Sequence, residues 1–465
     1  MSKKQIIGSC LGVILGITIA FITPPEGLTP QAMHGLGILL WAVTCWVFEV
    51  APDYVIAIAM CTLWVLFQCV QFKTAFATFS DTTWWLLIGA MGMGVAVSKS
   101  GLLKRISLRV MQIFPTTFNG QVLALISAGT MIAPLIPSMT AKAAIAAPIS
   151  MGISDAMGYQ RKGRGAAGLY GAMYLGFVLT GPMFVSASFI GYMMRGLLPQ
   201  NIQDQFNWTM WFTASIAWSA VVLVLTYIAI IFLYTPKEKD SLLPDHAAKL
   251  LVALGPMQRN EKITAIVLMA ALLCWMTERL HGINATVIAL VGLVVLLACR
   301  VFDRQDFRSG IGWDNMIFIG MIINLGSVLP ALKIDKWIAQ TAGPMIEPMI
   351  SNIYLFIVVL SFAIYAIRFV LVSFTATTAI FTVMLVPFAL QAGINPWVTG
   401  FIVYASTNIW FIFYQNSTFL TCYYAVEGEM VTHRQMVPLS FAYCAISIVA
   451  FLLSVPLWQY LGLVP

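Results

Sequence analysis

The chain has 465 residues, of which 60% are apolar and only 9% are charged, and its mean hydropathy is +0.89. Soluble domains typically carry about 25% charged residues, so this chain lacks the polar groups to cover a water-facing surface of its size. The composition excludes a soluble enzyme, a nucleic-acid-binding protein and a disordered chain. The net charge of +7 comes with Lys and Arg clusters in short connections, which favour the cytoplasmic side of a membrane and therefore report topology.

Apolar runs of bilayer-crossing length follow one another along the chain and predict an all-α polytopic membrane protein. In chain order the runs cover 6–22, 35–51, 54–71, 83–98, 121–151, 166–194, 211–234, 263–278, 284–299, 315–330, 353–390, 397–424 and 437–461. The first run ends at Thr23 and Pro24 without a small-residue cleavage site, so we interpret it as a span and not as a signal peptide. Lys3 and Lys4 before it predict a cytoplasmic N-terminus in a cell (inner) membrane.

One charge-dense stretch, 236–262, separates two halves, 1–235 and 263–465, and we interpret it as a linker. The halves resemble each other at three places, in the same order and at similar spacing. The matching pairs are Trp85–Met91 with Met316–Ile322, Ser138–Ala141 with Ser373–Ala376, and Ser186–Phe189 with Asn416–Phe419. Paired polar interruptions of this kind are the best sequence pointer to the binding site of a transporter built from repeats.

The Ser-x-Thr pairs predict breaks in two of the longest runs. Pro134 and Pro137 interrupt the apolar run before Ser138, which is a good N-cap for a new helix. Such a helix start directs free N–H groups and a positive dipole end at whatever lies in front of it. We therefore predict re-entrant hairpins at about 121–150, ending near Pro148, and at about 371–390, where no proline precedes the motif. The alternative is that these hydroxyls only bond to helix carbonyls or join neighbouring helices.

Two basic residues within apolar runs indicate an anionic substrate. Lys142 lies two residues after Thr140, and Arg368 lies between Tyr365 and Phe369. Charges at such depths are costly and usually mark a substrate path or a partner. The acidic residues fall near predicted span ends, so no mid-span carboxylate suggests a proton relay. For Arg368, pairing with a backbone carbonyl or extension to the membrane interface stays open as an alternative.

Nothing in the sequence indicates a metal site, an organic cofactor or catalysis. The four histidines are far apart, and the eight cysteines show no paired spacing. We find no nucleophile–base pair and no phosphate-binding loop. We therefore expect a protein that is not an enzyme and that has no cofactor.

The segment Pro137–Ala143 resembles the Ser-Asn-Thr signature of the divalent anion/sodium symporter family, and it is closest to the citrate, tartrate and 2-oxoglutarate/malate antiporters. Ser373–Ala376 resembles the second copy of that signature. The resemblance implies two inverted repeats, each with about five spans and a re-entrant hairpin, arranged as a scaffold domain and a transport domain. It also implies dimerisation through the scaffold and elevator-type alternating access.

The same resemblance implies a binding site for a small organic dianion at the two hairpin tips. One carboxylate is expected at the first tip, the other at the second, and the polar breaks of two later spans are expected to complete the walls. The predicted substrate-binding residues are Ser138, Met139, Thr140, Lys142, Ser186, Ser188, Ser373, Phe374, Thr375, Thr377, Asn416, Ser417 and Thr418.

Two departures from the signature bear on coupling. Met139 and Phe374 occupy its asparagine positions, which removes two side-chain amides from the expected carboxylate or sodium site. Lys142 stands where the exchanger branch has arginine, and its ammonium could replace the charge of a bound sodium ion. We therefore predict a secondary transporter that exchanges dicarboxylates without sodium, embedded in lipid as a homodimer and without a nucleic-acid partner.

Several alternatives remain at this point. A sodium-coupled symporter of di- or tricarboxylates or of sulfate is the nearest, and the sodium dependence of uptake separates it. A cation/proton antiporter would need a mid-span carboxylate, and a channel would show conductance. The identity of the anion is not encoded in any motif that we recognise.

Overall fold

The computed structural model describes residues 2–236, 246–350 and 352–465, which form helices joined by short connections, with no strand among them. The first half contains α1 (Lys3–Phe21), α2 (Pro30–Val47), α3 (Asp53–Leu66), α4 (Phe72–Ala75), α5 (Thr82–Ser100), α6 (Leu102–Met111), α7 (Phe118–Ile132), α8 (Met139–Ala156), α9 (Arg164–Tyr174), α10 (Phe189–Gly196), α11 (Gln200–Gln205) and α12 (Trp208–Tyr234). The second half contains α13 (His246–Ala253), α14 (Arg259–Met276), α15 (Glu278–His281), α16 (Ala285–Ala298), α17 (Arg304–Gly310), α18 (Trp313–Ile322), α19 (Leu325–Ala331), α20 (Ile334–Ile350), α21 (Ile353–Ile367), α22 (Phe374–Gln391), α23 (Pro396–Ser406), α24 (Ser417–Ala425) and α25 (His433–Tyr460).

The prediction of an all-α polytopic membrane protein is confirmed. Six described helices or helix pairs are long and apolar enough to cross a membrane, namely α1, α7, α12, α18 with α19, α22 and α25. The pair α5 and α6, bent by 68°, makes a seventh if it is counted as one span. Helices α3, α16 and α21 are apolar but shorter. The longest predicted runs, 121–151 and 353–390, are each interrupted by a non-helical connection.

Close helix packing sets the arrangement of the first three helices. Gly8, Gly12 and Gly16 form a buried stripe on α1. A Cβ atom at Gly37 of α2 would lie only 2.4 Å from the carbonyl oxygen of Gly16, so the backbones approach more closely than any larger residue permits. Small residues at such contacts are typical of membrane helix pairs. Helix α3 packs on α2 and on α18 of the second half.

The two halves present similar elements in the same order. Helices α7 and α8 are joined by an interruption, as are α21 and α22, and we call these pairs the first and second hairpin after the prediction. The pairs α9 with α10 and α23 with α24, which we call the interrupted spans, follow them, and α12 and α25 close the two halves. The closing helices α12 and α25 pack together, and the Trp218 indole donates to Ser447 Oγ at 3.1 Å. The inversion of one half relative to the other stays a prediction.

The connection between the halves is more than a linker. Residues 237–245 of the predicted 236–262 segment lie outside the described residues, but α13 and the start of α14 fall within it. Arg105 of α6 donates to both carboxylate oxygens of Glu261, at 2.8 and 3.0 Å, and to the carbonyl oxygen of Gly255 at 2.9 Å. Both side chains of this ion pair are buried. The pair attaches the start of the second half to the first.

Candidate functional site

The tip of the first hairpin is formed where α7 ends and α8 begins. A 3-10 turn at Ala133–Leu135 follows α7, and the Ser138 hydroxyl accepts a hydrogen bond from the Ala141 N–H at 3.2 Å. The expected proline break and serine cap are thus both present. Helix α8 then continues through Pro148 to Ala156, so our expectation of an end near Pro148 was wrong. Residues after Pro148 continue the same helix, so this proline lies inside α8 and does not end it.

The tip of the second hairpin has the same geometry without a proline. Helix α21 ends at Ile367, and the Ser373 hydroxyl caps α22 by accepting from the Ala376 N–H at 3.3 Å. The guanidinium of Arg368 donates to the carbonyl oxygens of Leu371, at 2.9 Å, and of Val372. Arginine therefore donates to carbonyls of the connection between α21 and α22, a stretch that contains no proline.

The interrupted spans carry the other two helix starts. Ser188 caps α10 and Asn416 caps α24, each accepting a backbone N–H with its side-chain oxygen. In the structure the cap Ser188 corresponds to the cap Asn416. The sequence match paired Ser186 with Asn416 and was therefore two residues out of register. The displacement arose because the match aligned hydroxyl-rich strings, whereas the structural equivalence follows the helix starts.

One backbone hydrogen bond and one hydroxyl pair join the first tip to the two interrupted spans. The Phe189 N–H donates to the Pro137 carbonyl at 2.8 Å, which attaches α10 to the first tip. The Thr140 and Thr418 hydroxyl oxygens are 3.0 Å apart, which attaches α24 of the second half to the same tip. Helix α8 accordingly packs on both α9 and α24.

Both tips open onto one cavity of about 380 Å³. This volume is within the range of about 300–1,000 Å³ that is usual for small-molecule sites. The cavity is lined by Trp46, Glu49, Asp53, Met139, Thr140, Phe189, Ile190, Asn315, Val372, Ser373, Phe374, Thr375, Tyr414, Gln415, Ser417 and Thr418. Residues from tips more than two hundred positions apart in the chain therefore share one site.

The cavity combines features that favour a negatively charged guest. Helices α8 and α22 each have 18 residues, and both begin at its wall. The first N–H groups of a helix have no intrahelical partner, and the N-terminus carries about half a positive charge. The hydroxyls of Thr140, Ser373 and Thr375 stand beside these helix starts. Across the described residues, no group of three or more His, Cys, Asp or Glu side chains could hold a metal ion.

Seven of the predicted binding residues line this cavity, namely Met139, Thr140, Ser373, Phe374, Thr375, Ser417 and Thr418. Ser138 lies behind them as the half-buried cap of α8. Four others do not line the cavity, because they are fully or almost fully buried and take part in internal hydrogen bonds, and their contact with substrate stays a prediction. They are Ser186, Ser188, Thr377 and Asn416.

Internal bonding explains why those four residues are not in the wall. The Ser186 hydroxyl donates to the Pro134 carbonyl at 2.8 Å and accepts from the Trp208 indole at 2.9 Å. The Thr377 hydroxyl donates to the Ser373 carbonyl at 2.7 Å, with the Leu371 carbonyl as a more distant acceptor at 3.2 Å. A run of hydroxyl residues in the sequence does not reveal which hydroxyls bond to a nearby backbone carbonyl and which face a cavity.

Lys142, also among the predicted binding residues, does not line the cavity, and its contact with substrate stays a prediction. Its side chain is fully buried, and the ammonium donates to the Ala187 carbonyl at 2.9 Å and the Ala133 carbonyl at 3.5 Å. One carbonyl belongs to the first hairpin and the other to the interruption before α10. The spacing between Thr140 and Lys142 in the sequence does not reveal that the lysine side chain points toward these carbonyls and away from the cavity.

Arg368 is the counterpart of Lys142 in the second half. It is fully buried and donates to the Thr407 carbonyl at 3.1 Å and to the Gln415 carbonyl, in addition to its contacts at the tip. Ala187 and Gln415 are the residues directly before the caps of α10 and α24. Each half therefore uses one buried cation to join its hairpin to its interrupted span.

Sequence reasoning missed the contribution of the α2–α3 connection to the cavity. Trp46, Glu49 and Asp53 line it, and the Ser373 hydroxyl donates to the Asp53 carboxylate at 2.7 Å. The sequence placed these acidic residues correctly at a span end. No local signal indicated that this end faces the second hairpin, because the contact joins residues 320 positions apart.

Two solved transporters share this fold. The YdaH transporter of Alcanivorax borkumensis is 15% identical, with a TM-score of 0.53 over 99% of this chain and 98% of its own. MtrF of Neisseria gonorrhoeae, described with a class of antimetabolite efflux pumps, is 14% identical with a TM-score of 0.50, over 96% of this chain and 93% of its own. At such identity the likeness concerns the fold alone.

Curated relatives cover most of the chain. YflS of Bacillus subtilis (strain 168), named as a candidate malate transporter, is 29% identical over 350 residues, which are 73% of this chain and 72% of that protein. The inner membrane protein YbhI of Escherichia coli (strain K12) is 28% identical over 73% of this chain and 74% of its own. The chloroplastic dicarboxylate transporter 1 of Arabidopsis thaliana is 26% identical over 71% of this chain and 60% of its own.

The profile of the sodium:sulfate symporter transmembrane region matches residues 3–464, nearly the whole chain. The family and the named relatives are transporters and not enzymes, and interrupted helices are a feature of many transporters. The chain thus belongs to the sodium:sulfate symporter family of membrane transporters, the divalent anion/sodium symporter family that its two Ser-x-Thr motifs resemble.

Proposed function

We propose that this protein is a secondary transporter of dicarboxylate-type organic anions, with the cavity between the tips of α8 and α22 as its binding site. The observation that carries the proposal is that two hydroxyl-capped helix N-termini, one from each half, meet at a single cavity. Two such ends are suited to two carboxylates of one molecule. The names of the relatives from Bacillus subtilis and Arabidopsis thaliana support malate or a similar dicarboxylate.

The wall residues suggest a role for each part of the site. One carboxylate is placed at the α8 start, where Thr140 and Thr418 present hydroxyls, and the other at the α22 start with Ser373 and Thr375. Met139 and Phe374 supply apolar surface next to these groups, suited to the carbon chain between the carboxylates. Hydrogen bonds to a charged group are the strong ones, so these donors fix orientation as well as affinity.

The two buried cations support exchange without sodium. Interrupted helices expose carbonyl oxygens, which in many carriers coordinate sodium. Here Lys142 and Arg368 already donate to the carbonyls at both interruptions. Because these charges belong to the protein, the empty carrier retains them, and moving a positive site through lipid is costly. A bound dianion offsets that charge, which favours exchange over net transport.

An elevator movement is part of the proposal. Helices α8, α9 and α24 pack together, as do α22 and α23, whereas α3 packs on α2 and α18. The cavity lies where these groups meet, which is the arrangement needed for one group to carry substrate past the other. The family resemblance supports a homodimer, and Lys3 and Lys4 support a cytoplasmic N-terminus in the cell membrane.

A sodium-coupled symporter of carboxylates or sulfate is the second candidate, favoured by the family description. Proteoliposomes that contain purified protein and unlabelled succinate or malate separate the two. We expect labelled dicarboxylate to enter in sodium-free potassium buffer, and to enter far less when the vesicles are loaded with buffer alone. Uptake that requires sodium, or that is independent of internal substrate, would overturn the exchange proposal.

A further inference from the structure

Asp53 places a carboxylate of the protein itself at the tip of the second hairpin. It is the first residue of α3, it is half-buried, and its carboxylate accepts the Ser373 hydroxyl proton at 2.7 Å. The Trp46 indole donates to the Asp53 carbonyl at 3.3 Å, which fixes the start of α3 beside the cavity. The residue is therefore positioned by its own backbone and not by the hairpin alone.

The charge of Asp53 has no cation to balance it among the ion pairs of the described residues. Glu49, the other carboxylate of the cavity, forms a salt bridge with Lys4 at 3.0 Å. Asp53 takes part in no such pair, and Ser373 is its side-chain partner. A carboxylate that lines an anion-binding cavity opposes an anionic guest unless it moves away or is neutralised.

The Ser373 hydroxyl can satisfy only one carboxylate at a time. A hydroxyl has one proton to donate, and the oxygen of Ser373 already accepts the Ala376 N–H as the cap of α22. A substrate carboxylate at this tip would need the same proton that Asp53 receives. Asp53 and the substrate carboxylate are thus alternatives at one donor.

We propose that Asp53 occupies the place of a substrate carboxylate in the empty carrier and that the substrate displaces it. This inference rests on the proposed function and adds a residue that lowers the affinity of the second tip. The contact also joins α3 to α22, which belong to different packing groups. Its displacement would therefore release the hairpin tip from α3 at the moment when substrate binds, before any movement of the transport domain.

The first test compares binding of succinate or malate to purified full-length protein and to the variants Asp53→Ala and Asp53→Asn. A hydrogen bond to a charged group contributes enough to change affinity by about tenfold, so we expect Asp53→Ala to bind about tenfold more tightly. Asp53→Asn, which removes the charge and keeps the shape, should show a smaller gain. Asp155→Asn is the matched control, because Asp155 lies outside the cavity and its exposed pair with Arg161, at 3.0 Å, predicts a change within about twofold.

The outcomes separate the two proposals. Wild-type protein that binds no dicarboxylate defeats the proposed function and this displacement with it. Wild-type protein that binds succinate, with Asp53→Ala binding equally or more weakly, defeats the displacement alone. An equal gain in Asp155→Asn also defeats it, because the effect would then come from the net charge of the protein and not from the hairpin tip.

A second measurement does not depend on the stability of the alanine variant. The double variant Asp53→Cys with Ser373→Cys is treated with a bifunctional thiol reagent that fluoresces only when both arms have reacted. We expect bridging in the double variant above the background of each single variant, and we expect saturating succinate to slow it severalfold. Bridging that succinate leaves unchanged, in protein that still binds succinate, would overturn the displacement.

Discussion

The two hairpin tips reach the same geometry by different chemical means. At the first, Pro134 and Pro137 interrupt the apolar run, and at the second, Arg368 satisfies the carbonyls of an interruption that contains no proline. In both, a serine caps the following helix. Both tips therefore require an interrupted helix, and hydrogen bonds from a side chain can maintain the interruption as well as backbone restriction by proline can.

The largest effect is expected where one side chain maintains the whole interruption. Arg368→Ala removes hydrogen bonds to the carbonyls of Leu371, Val372, Thr407 and Gln415, all in a buried region. A buried carbonyl that loses its donor costs about 1–3 kcal/mol, and four lose theirs here, so we expect little folded protein and no transport. Thermal unfolding in detergent and uptake in proteoliposomes measure both.

Arg368→Lys is the control for that variant, because it keeps the charge and up to three donors. It should recover part of the stability. A fully active Arg368→Ala protein would show that the second interruption needs no cation, and the comparison of the tips would fail.

The next effect concerns the first tip, where the cation has fewer contacts. Lys142→Ala frees the carbonyls of Ala133 and Ala187 and removes one charge, and we expect sodium-free transport to fall at least about tenfold. Because sodium accepts such carbonyls as ligands, added sodium should restore part of the activity. Unchanged sodium-free exchange would contradict the proposed role of Lys142.

Lys99→Ala provides the matched control for Lys142→Ala. Lys99 is an exposed lysine whose ammonium pairs with Asp306 at 2.9 Å. Exposed pairs contribute about 0–1 kcal/mol, so transport should stay near the wild-type level with and without sodium.

A smaller effect is expected for the hydroxyl contact between the halves. Thr140→Val and Thr418→Val each remove one member of the 3.0 Å pair, and the expected loss of substrate affinity is about tenfold for each. Residues in contact do not act additively, so the double variant should lose much less than the product of the two single effects. Additive losses would show that the two hydroxyls act at separate places.

The sequence allowed the helix starts of the site to be predicted, but not the directions in which several of its side chains point. The helix starts at Ser138 and Ser373 were predictable, because proline and capping rules act within a few residues. The orientations of Lys142 and Ser186 were not, since their partners depend on how two interruptions pack together. The same limit applies to Asp53, whose partner comes from the other half.

The smallest effect is expected from Pro137→Ala. This variant tests whether the proline ring or the hydrogen bonds around it keep α7 and α8 apart. The Ser138 cap and the bond from the Phe189 N–H to the carbonyl of residue 137 do not need the proline ring. If these bonds define the tip, the variant should lose no more than about 1 kcal/mol of stability, the usual contribution of unfolded-state restriction by proline, and should transport normally. If the ring defines it, α7 can extend toward α8 and transport should be lost without unfolding. Thermal unfolding and exchange measured together distinguish these results, and loss of transport would mean that the two tips differ in principle and not only in their side chains.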